Sequence, residues 1–134
     1  MIKIHKKTNA SVMASIKVNK KNVSRWGIYS VKSKLDKNNF IINDVVEKPD
    51  IKSAPSNNAV IGRYILPKKI FKILKNQKKG KGGEVHITDS IKTLINEGNI
   101  FIGHNFKGKY LDCGTMKGYI NSGLEISKSW RFAL

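Results

Sequence analysis

The spacing of the apolar residues changes at Pro67, and that change limits the fold more than any other feature of the chain. Before it the spacing is two, the period of a strand with one buried face; after it the spacing is three and four, the period of a helix. "ASVMASIKV" at Ala10–Val18 reads as a strand, and "KNVSR" at Lys21–Arg25 then turns. "WGIYSVKSKL" at Trp26–Leu35 sets Tyr29, Val31 and Ser33 against Ile28, Ser30 and Lys32. "DKNN" at Asp36–Asn39 has turn chemistry, and "FIINDVVEK" returns, so Trp26–Lys48 is expected to be a hairpin. A loop set by Pro49 and Pro55 leads to "AVIGRYIL" at Ala59–Leu66, a dense β run.

Beyond Pro67, "KKIFKILKNQ" places Ile70, Phe71, Ile73 and Leu74 at helical spacing. "GKGG" at Gly80–Gly83 breaks that helix. Its amides precede another helix and have the chemistry to hold an anion, but glycine plus lysine equally describes an exposed linker. Thr88 and Asp89 are expected to cap the next helix, where Ile91, Leu94 and Ile95 form an apolar stripe ended by Asn96-Glu97-Gly98. "IFIGHNF" and "GKYLDCG" read as two further strands joined at Lys107-Gly108. A last helix is expected from Met116 to Lys128, and residues 1–8 fit the tail of a helix. The elements predict a mixed α/β fold, with strands joined by hairpins or single helices rather than in regular alternation.

A chain of 134 residues suits one domain or a piece of a larger one. No run of about 18 apolar residues is present, so no membrane span is expected. The start lacks the apolar middle of a signal peptide, which predicts a cytoplasmic protein. One cysteine, Cys113, excludes an internal disulfide framework and a multi-cysteine zinc site, and reads as a small buried residue. The net charge of +17 raises the question of nucleic acid. Only Arg25, Arg63 and Arg131 carry the forked guanidinium that such readers favour, and the lysines are spread along the chain. The charge is therefore read as a solvated surface, with no nucleic-acid partner; a small basic nucleic-acid module is the weakest of three alternatives.

Five stretches in register, "NVSRWGIYSV", "VVEKP", "SAPSNNAVIGRYIL", "GKGGEVHITDSIKTLINEG" and "FKGKYLDCGTMKGYINSGLE", resemble the bacterial UTP–glucose-1-phosphate uridylyltransferases. These are a branch of the sugar-phosphate nucleotidyltransferases. The match runs from about Ala10 to Glu125, and cysteine at position 113 looks like the uridylyl branch, where the thymidylyl branch tends to have threonine. The resemblance implies a Rossmann-like domain, a mixed sheet with flanking helices. It covers only the second half of such an enzyme. Residues 1–134 are thus expected to be the carboxy-terminal, sugar-phosphate-binding part of an incomplete domain, without the amino-terminal nucleotide-binding part.

The implied reaction joins UTP and glucose 1-phosphate into UDP-glucose and pyrophosphate. Its nucleophile is an already ionised phosphate oxygen, so catalysis is positioning plus charge neutralisation. By resemblance, Glu47 accepts hydrogen bonds from glucose hydroxyls, and Lys48 pairs with the sugar phosphate as both a binding and a catalytic group. Gly27 offers the sugar a bare backbone, and Asn58, Ala59 and Val60 touch it through theirs. Asp112 is implied as one ligand of Mg2+, with UTP held mainly by the missing half. From the residues alone, Glu47-Lys48 is equally a surface pair at a strand end, and Asp112 equally a cap for the last helix. Neighbours on a strand point to opposite faces, so Glu47 and Lys48 reach one ligand only if the strand ends or bends there. Pro49 favours that, since it bars Lys48 from the right-handed helical region. Trp26, Tyr29 and Tyr64 read as core or interface aromatics, and Asp89 as a capping residue. Besides the isolated enzyme part, the chain fits an interaction subunit or remnant that meets a missing amino-terminal partner or forms a homo-oligomer.

Overall fold

Five strands form one mixed sheet in the computed structural model, which describes residues 1–80 and 83–129. Strand β1 (Ser11–Lys17) runs antiparallel to β4 (Asn58–Ile65) and parallel to β5 (Phe101–Asn105). Strands β2 (Gly27–Lys34) and β3 (Asn39–Glu47) form the expected hairpin. Strand β3 also pairs with β5, and Ile28 of β2 meets Ala59 of β4, so the order β1-β4-β2-β3-β5 closes on itself. The flanking helices are α1 (Ile2–Thr8), α2 (Lys69–Asn76), α3 (Ile87–Asn96) and α4 (Met116–Ser127). The mixed sheet with flanking helices expected above is the architecture observed.

The alternation read in the sequence sorts the side chains. Met13, Tyr29, Phe40, Ile42, Val45, Val60 and Phe101 form the main core, covered by Ile70 of α2 and Ile91 and Leu94 of α3. Helix α3 packs on β3, and α2 packs on α3. The other side of the sheet holds a smaller cluster of Val23, Ile28 and Ala59. Tyr29 is fully buried, and its hydroxyl donates to the Ala14 carbonyl at 3.1 Å, which satisfies the polar atom that this ring carries into the core. Gly103 faces Phe40 across the β3–β5 pair, and a Cβ there would lie 2.2 Å from the ring. The Phe40 ring occupies the space a side chain would need.

Three expectations change. Residues 20–25 form a short 3-10 helix with Asn19 as its cap, where a simple turn was expected. Helix α3 starts at Ile87 behind His86, because Thr88 is turned inward and Asp89 lies in the first turn. "GKYLDCG" pairs with no strand: after β5 the chain leaves the sheet, and Tyr110 instead packs edge-on against Trp26 with ring centroids 5.0 Å apart. Lys81 and Gly82 lie outside the described residues, so the anion-loop expectation for "GKGG" has no structural account.

Candidate functional site

The site begins with one cross-strand pair. Gly27 opens β2, Glu47 closes β3, and the register sets them directly opposite each other. Opposed side chains on antiparallel strands stand about 5 Å apart, so a glycine at one position leaves room for the carboxylate at the other. A Cβ on Gly27 would come within 3.1 Å of Glu47 Oε2, 3.1 Å of Val60 Cγ2 and 3.4 Å of Thr88 Cγ2. Four elements thus meet around one missing side chain: β2, β3, β4 and the first turn of α3. Thr88 is buried and donates from Oγ1 to Glu47 Oε2 at 3.2 Å. Together with Arg25, Trp26, Tyr64, His86 and Tyr110, these residues line a cleft of about 490 Å3. The Tyr64 phenol is pushed up from its ordinary pKa by burial and next by the Glu47 carboxylate, so it stays a neutral hydroxyl.

The bend asked of Lys48 is present. Its φ is 45°, in the left-handed region, and its N–H donates to the Trp26 carbonyl at 3.0 Å. A non-glycine residue held there is strained by about 1–2 kcal/mol. Pro49 removes the right-handed alternative, and the chain swings away from the strand direction immediately after Glu47. The Lys48 side chain is exposed and lies outside the residues that line the cleft; its ammonium has no ion-pair partner among the described residues. Ala59 is fully buried opposite Ile28, with neither side chain nor backbone exposed, and does not line the cleft, while Val60, one residue on, does.

Asp112 is linked to this cleft without lining it. Its Oδ2 lies 3.7 Å from an Arg25 guanidinium nitrogen, and Oδ1 accepts from the Gly114 amide at 3.0 Å. The capping role that rivalled a metal role belongs elsewhere: Thr115 caps α4, accepting from the Gly118 amide at 3.0 Å. Asp112 faces a smaller hollow of about 280 Å3 with Asn121, Ser122 and Glu125. No group of three or more histidine, cysteine or acidic side chains forms a metal cluster among the described residues. Cys113, expected to be buried, is exposed, because its segment left the sheet.

Gly27, Glu47 and Val60 are thus together, Lys48 follows Glu47 in the chain but lies outside the lining of the cleft, and Asp112 reaches the site through Arg25. Sequence reasoning missed Thr88, Arg25 and Tyr110. A signal for Thr88 existed: it stands three residues before Ile91 and six before Leu94, on the stripe that α3 buries. Arg25 and Tyr110 had none, since Arg25 owes its place to the short 3-10 helix and Tyr110 to the segment that leaves the sheet.

Comparison with known proteins supplies the family. The model of the nucleotidyl transferase family matches residues 1–129. The UTP–glucose-1-phosphate uridylyltransferase of Pseudomonas aeruginosa is 37% identical over 122 residues, covering 91% of this chain and 43% of that protein. A solved apo UDP-glucose pyrophosphorylase is 40% identical with a TM-score of 0.88, over 96% of this chain and 46% of the other. A UDP-glucose pyrophosphorylase complexed with UDP-glucose gives 40% and 0.87, over 94% and 47%. The chain therefore spans less than half the length of each of these relatives, yet nearly all of it is matched. With the five strands, the Gly27–Glu47 pair and the family match in agreement, this chain belongs to the nucleotidyl transferase family.

Proposed function

We propose that this chain carries the sugar-phosphate side of a UTP–glucose-1-phosphate uridylyltransferase site. The observation that carries the reading is the cleft in which Gly27, Glu47, Val60 and Thr88 meet. A carboxylate accepts but does not donate, which suits it to sugar hydroxyls. The bare Gly27 backbone lets a pyranose ring approach closely. Lys48, next to Glu47 in the chain, and Arg25 in the cleft lining supply positive charge for phosphate oxygens, the second with a fork that can take two of them. In phosphoryl transfer the protein gains rate by holding the reacting oxygens in line and neutralising charge. Here that work falls to Glu47 for the sugar, and to Arg25 and Lys48 for the phosphate.

Asp112 fits one position of a magnesium ion, not a complete site. It is partly exposed, and one carboxylate oxygen is held only by a loose pair with Arg25. Magnesium takes few carboxylates and fills its remaining positions with phosphate oxygens and water. Such an ion would neutralise charge on the phosphates when bound.

The test is calorimetry of glucose 1-phosphate binding to the purified chain and to Glu47→Ala. Saturable binding that the substitution weakens at least ~tenfold is expected, the loss of a charged hydrogen-bonding group. Equal binding by both would remove Glu47 from the reading. A second reading, association with a protein partner or another copy, is favoured by α4. Met116, Tyr119, Ile120 and Leu124 lie along one stripe of that helix and are all more than half exposed. A strictly monomeric sedimentation profile at high concentration would argue against self-association.

A further inference from the structure

We propose that the end of the barrel beside the β2–β3 turn is a second binding site, built for a small carboxylate with two or more acidic groups and a hydroxyl between them. A cavity of about 530 Å3 lies there, and none of its lining residues belongs to the Gly27–Glu47 cleft. On β1, Ser15 and Lys17 follow Met13 at alternate positions and so share its face, the one that carries the main core. The register puts Asn105 of β5 beside Ser15, and Asn58 of β4 beside Lys17. The core side of the sheet thus turns from apolar to polar at this end. Ser15 Oγ, Asn58 Oδ1 and Asn105 Oδ1 are buried and have no hydrogen-bond partner among the described residues, and all three gather here. Buried acceptors are rarely left bare, since each costs free energy until a donor reaches it.

Two of these oxygens can be re-aimed. Asn105 makes no side-chain hydrogen bond among the described residues, and Asn58 makes one, a long donation of 3.4 Å to Ser56 Oγ. Both residues line the cavity. The last torsion of an asparagine is broad, so each amide can present its oxygen or its NH2 to a ligand. The oxygen accepts from a hydroxyl, and the NH2 donates to a carboxylate. Charge selects the rest. Lys17, Lys34 and Lys37 line the cavity and have no ion-pair partner among the described residues. The acid beside them, Asp36, is committed to the turn, accepting from the Asn38 and Asn39 amides at 2.7 and 2.9 Å and from Asn39 Nδ2 at 2.6 Å. Ammonium groups borne on β1, on β2 and on the turn suit an ion whose charges are spread. Phosphate is more often held by free backbone amides at a helix start; here the turn amides serve Asp36, and no helix begins among the lining residues. The wall is also stiff: the Asn105 amide donates to the Asn38 carbonyl at 2.8 Å, and His104 Nδ1 lies 2.7 Å from Asn39 Oδ1.

The experiment is a nuclear magnetic resonance titration of the isotope-labelled chain, free of divalent metal, with citrate and with tricarballylate, the same tricarboxylate without the hydroxyl. Citrate is expected to shift the signals of Lys17, Lys34, Asn58 and Asn105 saturably, side-chain amides included. Tricarballylate should bind the same place about fivefold to tenfold more weakly, the loss of one hydrogen bond. Replacing the exposed Lys34 and Lys37 together by glutamine should lower citrate affinity at least ~fivefold and leave the melting temperature unchanged. Asn105→Ala should erase the preference for citrate, and Asn58→Ala reads the same property from another strand if the first variant folds poorly. Equal affinity of the wild-type chain for the two compounds would overturn the proposal, as would a preference that survives in both asparagine variants. Shifts centred on the Gly27–Glu47 pair, or unsaturated shifts scattered over the surface lysines, would overturn it too. Inorganic phosphate that binds here as tightly as citrate would do the same.

Discussion

Gly27→Ala puts the smallest possible side chain into the middle of the proposed site, and the structure sets what it should do. The new methyl would stand 3.1 Å from Glu47 Oε2 and Val60 Cγ2 and 3.4 Å from Thr88 Cγ2. Ordinary contacts to a methyl are a few tenths of an ångström longer, so Val60 and the carboxylate must both give way. Val60 is packed in the main core and yields little; Glu47 yields by turning, which pulls Oε2 from the Thr88 hydroxyl. The backbone at Gly27 is outside the left-handed region, so alanine adopts it without strain. Loss of glycine freedom in the unfolded chain contributes about 0.4–1 kcal/mol of stability, and overpacking costs about 1–3 kcal/mol. The net destabilisation is then about 0–2.6 kcal/mol, below the roughly 5–15 kcal/mol of an ordinary domain. The protein should fold and lose its ligand. Urea denaturation and calorimetry with glucose 1-phosphate on the same preparation separate the two effects: a modest fall in midpoint is expected, with affinity reduced at least ~tenfold, about 1.4 kcal/mol. A variant that stays folded and binds within about twofold of wild type would refute the reasoning.

Two further outcomes follow from other parts of the fold. Gly103→Ala drives a Cβ to 2.2 Å from the buried Phe40 ring, so it should destabilise by about 1–3 kcal/mol, and Phe40→Leu in the same chain should recover part of that; unchanged urea midpoints would contradict the packing described. The pKa of His104 is lowered, first by burial and then by the N-terminal ammonium, against an opposing pull from Asp36, while Nδ1 lies 2.7 Å from Asn39 Oδ1. The unfolded chain therefore takes up this proton first, and the contribution of a neutral His104 is complete above its unfolded pKa of about 6.5 and lost as pH falls through the lower folded value. The urea midpoint of wild type should decline with acidification below that pH, and His104→Gln should flatten the decline; parallel profiles would rule the group out.

Much of the fold was legible because period and turn chemistry act locally. The Trp26–Lys48 hairpin follows from alternation and from "DKNN", where Asp36 accepts from the Asn38 and Asn39 amides at 2.7 and 2.9 Å. The change of period at Pro67 located α2 for the same reason. "GKYLDCG" misled because β-propensity measures fit to a sheet surface, and this segment has no strand beside it to pair with. Of the site, Gly27, Glu47 and Val60 came from motif resemblance, and the fold sets them around one gap. Thr88 was read as a cap because threonine before an apolar stripe usually is one; here burial turned it toward Glu47. Asp112 was read against a capping role that Thr115 in fact fills, which sequence could not separate, since both stand just ahead of α4. The closing of β2 onto β4 through Ile28 and Ala59 was also invisible, because it depends on pairing across 31 positions.

The most direct measurement is a nuclear magnetic resonance titration of the isotope-labelled chain with glucose 1-phosphate, with every shifted amide assigned. Saturable shifts centred on Gly27, Glu47, Lys48, Val60 and Thr88, with the hairpin tip at Asp36–Asn39 unmoved, are the predicted result. An unperturbed spectrum, or shifts centred away from the Gly27–Glu47 pair, would contradict the account.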